Sequence, residues 1–127
     1  MKHLAAVHLA LCVALAASTS FADGVTVRRG QFTDRVERGA PVGSPAEVPR
    51  VGRVLYWVEA SNPGAPAQIT LVWRVGGREV TRQELEVGHA PRWRTWGALP
   101  RRGSGTVEVR VLDASGAEIH RDRLGGS

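Results

Sequence analysis

The chain has 127 residues, 23% of them charged, and carries a formal net charge of +5. That length admits one modest hydrophobic core, not a core plus a deep substrate cavity. Lys2 is the only lysine, so every other basic side chain is an arginine. The basic balance favours loose attraction to anionic surfaces, although arginine throughout is equally what GC-rich coding writes.

Residues 1–22 read as a secretory signal peptide. Lys2 is a short basic head, Leu4 to Ala17 is apolar apart from His8, and Ser20-Phe21-Ala22 offers small residues where a signal peptidase reads. The apolar run is shorter than the roughly 20 residues that cross a bilayer, so no transmembrane segment is expected after cleavage. Cys12 follows Leu9-Ala10-Leu11, and the bulky Leu11 does not suit lipidation. With Cys12 removed, the exported chain 23–127 has no cysteine, hence neither a disulfide nor thiolate chemistry. It carries 16 arginines against 12 acids. The expected location is periplasmic or secreted, which also argues against nucleic acid as a partner.

From residue 23 the text reads as β-structure. Val25-Thr26-Val27 begins a strand running to Phe32-Thr33. The stretch "GAPVGSPAEVPRVG", residues 39–52, has three prolines and no period, as expected of a connection crossing an edge or end of a sheet. Arg53 to Ala60 forms a second strand, with Val54, Tyr56 and Val58 on one face and Leu55 and Trp57 on the other. "SNPGAP", residues 61–66, is a turn.

In Gln68 to Val75, Ile69, Leu71, Trp73 and Val75 point one way, which makes Trp73 a core residue. Gly76-Gly77 is a hairpin dipeptide leading into Arg78 to Val87. Trp93 to Leu99 is extended. Thr106 to Leu112 buries Val107, Val109 and Val111, and after the Asp113-Ala114-Ser115-Gly116 turn Ala117 to Leu124 closes the sheet. About seven antiparallel strands at this spacing predict a single all-β domain, an immunoglobulin-like β-sandwich.

Little in this pattern points to catalysis. Past residue 22 only His89 and His120 remain as histidines, so neither a metal site nor a cofactor is expected. The serines lie in Gly/Pro-rich turns outside any nucleophile motif. What stands out is aromatic and cationic. In Arg92-Trp93-Arg94-Thr95-Trp96, alternation puts Trp93 in the core and Trp96 beside Arg94 on the opposite face. The candidate ligand-binding residues are Trp96, Arg94, Arg92, Trp57 and Glu59, where stacking on indole and forked arginine hydrogen bonds would hold a ligand.

Gln31-Phe32-Thr33, Arg38, Pro41-Val42, the strand ending in Trp73, Gly77 with Glu79-Val80, Arg92-Trp93-Arg94-Thr95-Trp96, Gly105 and Asp113-Ala114-Ser115-Gly116 together resemble a bacterial family, domain of unknown function 2914. The resemblance implies an exported β-domain without an established activity, and runs from about Val27 to Arg123. The family pattern has a histidine and a serine where this chain has Leu71 and Gly97, so a polar site built on that pair is not implied here. The expectation is a non-enzymatic binding or accessory module of the cell envelope, contacting a glycan or protein. The alternative is a structural envelope protein that assembles by sheet-edge pairing, with all its tryptophans in the core.

Overall fold

Period-two alternation decides the architecture. The computed structural model describes residues 24–103 and 105–125. The leader reading of residues 1–22, with Cys12, lies outside the described residues, as do Ser104 and Ser127. In chain order the elements are β1 (Thr26–Thr33), β2 (Arg35–Glu37), β3 (Ala40–Val42), a 3-10 turn (Pro45–Glu47), β4 (Val51–Asn62), β5 (Ala67–Val75), β6 (Arg78–Val87), β7 (Ala90–Arg102), β8 (Val107–Leu112) and β9 (Glu118–Leu124). Among the described residues no helix is long and apolar enough to cross a membrane.

The long strands form two antiparallel sheets, one ordered β1-β4-β7 and the other β6-β5-β8-β9. This is an all-β sandwich with immunoglobulin-like Greek-key wiring. The fourth long strand, β6, pairs in the second sheet rather than beside the fifth as in an antibody constant domain. Phe32, Val54, Tyr56, Val58 and Ala60 from the first sheet meet Ile69, Leu71, Trp73, Val107, Val109 and Val111 from the second. Phe32 joins the layers edge-on, 4.7 Å from the Tyr56 ring and 6.4 Å from that of Trp73. The indole of Trp73 donates to Gln83 Oε1 at 3.0 Å, and Gln83 Nε2 donates to the Ala98 carbonyl at 2.7 Å. That relay ties the two sheets together without a disulfide. Positions 71 and 97 face each other here: a Cβ on Gly97 would lie 2.8 Å from Leu71 Cδ1. An apolar Leu71 and a bare Gly97 thus fit as a pair, in a spot with no polar group of their own.

The connection at 39–52 differs from expectation. It contributes β3, which pairs with β2 as a short hairpin lying on the outer face of the first sheet rather than at its edge. Thr33 Oγ1 donates to the Val42 carbonyl at 2.6 Å, and Gln31 Nε2 to that of Gly43 at 2.8 Å, anchoring the hairpin's far end.

Candidate functional site

The outer face of β1-β4-β7 carries the candidate residues, and a bulge in β1 arranges them. The β1–β4 register steps from Val27↔Ala60 to Arg29↔Glu59, so Arg28 and Arg29 both stand opposite Glu59. One row across the sheet therefore reads Arg28 and Arg29, Glu59, Arg94; the next reads Gln31, Trp57, Trp96. Glu59 is only 4% exposed. Its carboxylate lies 3.7 Å from Arg28 Nε on one side and 3.7 Å from Arg94 Nε on the other, while both arginines keep nearly half of their side chains in solvent. A buried carboxylate needs such partners, since an unpaired charge there would be strongly destabilising.

Trp57 is 1% exposed. Its indole N–H donates to the Gly39 carbonyl at the tip of the β2–β3 hairpin, 2.9 Å away, and the Arg29 guanidinium lies over its ring at 5.2 Å. The hairpin tip is the Arg38-Gly39 pair, both residues at positive φ (54° and 77°). Gly39 approaches Arg94 closely enough that a Cβ there would sit 3.7 Å from Arg94 Cδ. Arg28 and Arg94 thus flank one acid, with Arg29 over the neighbouring Trp57 ring and Arg38 at the hairpin tip next to Gly39.

Trp96 stands at the open side of this group. It is 41% exposed, whereas Trp57 and Trp73 are buried and Trp93 is half-buried against the core. The structure accordingly brings Trp96 and Arg94 together at the surface, with Arg92 exposed farther along β7. Trp57 and Glu59, expected among the contact residues, are buried: the hairpin tip lies over one and two arginines stand beside the other. Three neighbours escaped the sequence reading: Arg28, Arg29 and Arg38. In a regular strand Arg28 and Arg29 would face opposite ways, and only the bulge unites them. The one available signal was the Arg-Arg pair itself.

A second polar cluster lies inside. The Tyr56 hydroxyl donates to Asp122 Oδ2 at 3.1 Å and lies 3.0 Å from His120 Nε2. Burial, with the Asp122 carboxylate adding to it, pushes the phenol's pKa far above its ordinary value. Among the described residues no three His, Cys, Asp or Glu side chains are placed to hold a metal ion together.

A family model described as protein of unknown function (DUF2914) matches residues 66–123. Over this region the chain is similar to that family. The matched region holds β5 to β8 and most of β9, and so supplies Trp96, Arg94 and Arg92; β1, the β2–β3 hairpin and β4 precede it. Its Asp113 turn is structural. Asp113 Oδ1 accepts from Ser115 N at 2.9 Å, Ser115 Oγ at 2.6 Å and Ala117 N at 3.0 Å, and the Ser115 hydroxyl is the main cause that lowers the carboxyl's pKa. No curated protein matches the chain.

Proposed function

We propose that the protein is an exported, non-enzymatic binding module of the cell envelope that holds an anionic glycan on the face around Trp96. The observation that carries this reading is the exposed Trp96 indole at the border of an arginine cluster. A sugar ring can stack its C–H face on the indole. Its carboxylate, sulfate or phosphate groups can take forked hydrogen bonds from Arg94 and the neighbouring arginines. Glu59 is committed to Arg28 and Arg94, which suits a binding face better than acid–base chemistry. The leader-like residues 1–22 support export.

Sheet-edge pairing with a protein partner keeps one specific support: β7, 13 residues long, is an edge of its sheet. The exposure of Trp96 counts against the form of that reading in which every tryptophan is core.

Affinity electrophoresis separates the two. The protein should be retarded in gels containing polygalacturonate and run freely in neutral dextran. Trp96→Ala, at an exposed site, should keep its circular dichroism. Its retardation should weaken about fivefold, for a stacking contact of about 1 kcal/mol. A folded Trp96→Ala variant with undiminished retardation would remove Trp96 from the site.

A further inference from the structure

At one end of the sandwich, where β5 turns into β6 and β7 leads towards β8, a cavity of about 410 Å³ opens between the sheets. Val75, Val80, Leu99 and Val107 give it largely apolar walls, and Arg101 lines it as well. Arg101 follows Leu99 by two residues, so alternation turns it inward like Leu99, and only 6% of it is exposed. Its Nη1 donates to the Pro49 carbonyl at 3.1 Å, whereas its Nε has no hydrogen-bond partner. None of the ion pairs among the described residues involves Arg101. Burial, and then the like charge of Arg50, lower its pKa, yet a guanidinium does not give up its proton in a protein.

A charge buried without a counter-ion is costly, and an arginine is rarely so placed. Apolar walls offer nothing to a sugar. They suit a hydrocarbon tail, and the inward arginine suits an anion at its end. We propose that this cavity binds a single-chain amphiphile with an anionic head, the tail lying against Val75, Val80, Leu99 and Val107 and the head meeting Arg101. The volume sits near the lower end of the roughly 300–1,000 Å³ typical of ligand pockets, which fits one chain rather than two. No residue of the glycan face lines the cavity, so the two sites are separable.

The test is isothermal titration calorimetry of the protein with dodecanoate and dodecyl phosphate, each below its micellar concentration, and with dodecanol below its solubility limit. The two anions should bind at least about tenfold more tightly than the alcohol, the difference a charge-assisted contact makes. Whichever anion is tighter names the head group. Arg101→Gln should weaken the anions by about tenfold and leave dodecanol unchanged, with Arg101→Lys restoring part of the loss. Val80 is half exposed at the rim, so Val80→Glu should fold even if Arg101→Gln does not, and should repel both anions. Trp96→Ala should bind them like the parent chain. The proposal is overturned if neither anion binds, if dodecanol binds as tightly as the anions, or if folded Val80→Glu retains full anion affinity.

Discussion

The hydroxyl of Tyr56 shows how one atom can constrain three strands. Gly30 on β1 lies so close to it that any Cβ at position 30 would collide with the oxygen, and would come within 3.0 Å of His120 Nε2. β9 closes over the group from the other side with His120 and Asp122. Burial first, then the Asp122 charge and its hydrogen bond, disfavour the phenolate. A pKa raised in the folded state means that the unfolded chain gives up the proton first. The stabilisation is therefore complete below about pH 10, the unfolded tyrosine value, and is lost as the pH climbs from there towards the folded value. Tyr56 is the chain's only tyrosine, so tyrosinate absorbance reads it alone. We expect no ionisation through about pH 11, then a cooperative rise coinciding with loss of the β-sheet circular dichroism signal. A smooth titration near pH 10 with the fold intact would contradict the buried cluster. The inward position of Tyr56 is legible from alternation with Val54 and Val58. Its partners are not, because His120 and Asp122 place polar groups on a strand's inward face, against the apolar pattern that identifies such faces.

At the scale of elements, the long strands are legible because β4, β5 and β8 repeat apolar residues at period two, and because most of the seven end at Gly, Asn or Asp. The β2–β3 hairpin is not. Its strands have only three residues each, too short to show a period, and Pro41 lies within one of them. Its turn also lacks the usual signature. Two central residues at positive φ define a type I′ hairpin turn, for which Asn-Gly is favoured, but this chain has Arg38-Gly39. Holding a long L-residue in the left-handed region costs about 1–2 kcal/mol. Strain of that kind persists where the side chain serves a purpose, and Arg38 stands at the hairpin tip next to Gly39, which packs beside Arg94. Arg38→Asn should therefore stabilise the fold by about 0.5–1 kcal/mol while weakening retention on polygalacturonate. Urea unfolding midpoints read the first effect and affinity gels the second. Unchanged stability would mean the turn is unstrained, and unchanged retention would take Arg38 out of the glycan face.

Across the whole molecule the two outer faces treat charge differently. On the β6-β5-β8-β9 sheet, arginines and glutamates interlock. Arg74 lies 3.3 Å from Glu108, Arg110 lies 3.7 Å from Glu118, Arg121 lies 3.0 Å from Glu118, and Arg82 lies 2.8 Å from Glu79. The exposed Glu79 and Glu118 are held ionised by hydrogen bonds from Arg82 and Arg121, which lower their pKa values. On the β1-β4-β7 sheet Arg28 and Arg94 share the single carboxylate of Glu59, and none of the ion pairs among the described residues involves Arg29 or Arg38. A net charge of +5 read from the sequence hides this asymmetry, because the bulge and the hairpin that create it are tertiary features. If bulk charge alone attracted a polyanion, two arginines removed from either face would matter equally. Screening over about 8 Å at physiological salt instead makes local placement decisive. Arg38→Gln with Arg94→Gln should weaken polygalacturonate retention at least about tenfold, for two charge-assisted contacts of about 1 kcal/mol or more each. Arg82→Gln with Arg121→Gln changes the net charge by the same amount and should weaken it less than about threefold, since those side chains are already neutralised by their partners. Equal losses from the two pairs would make the attraction a property of the whole surface, and the Trp96 face would lose its claim to be a site.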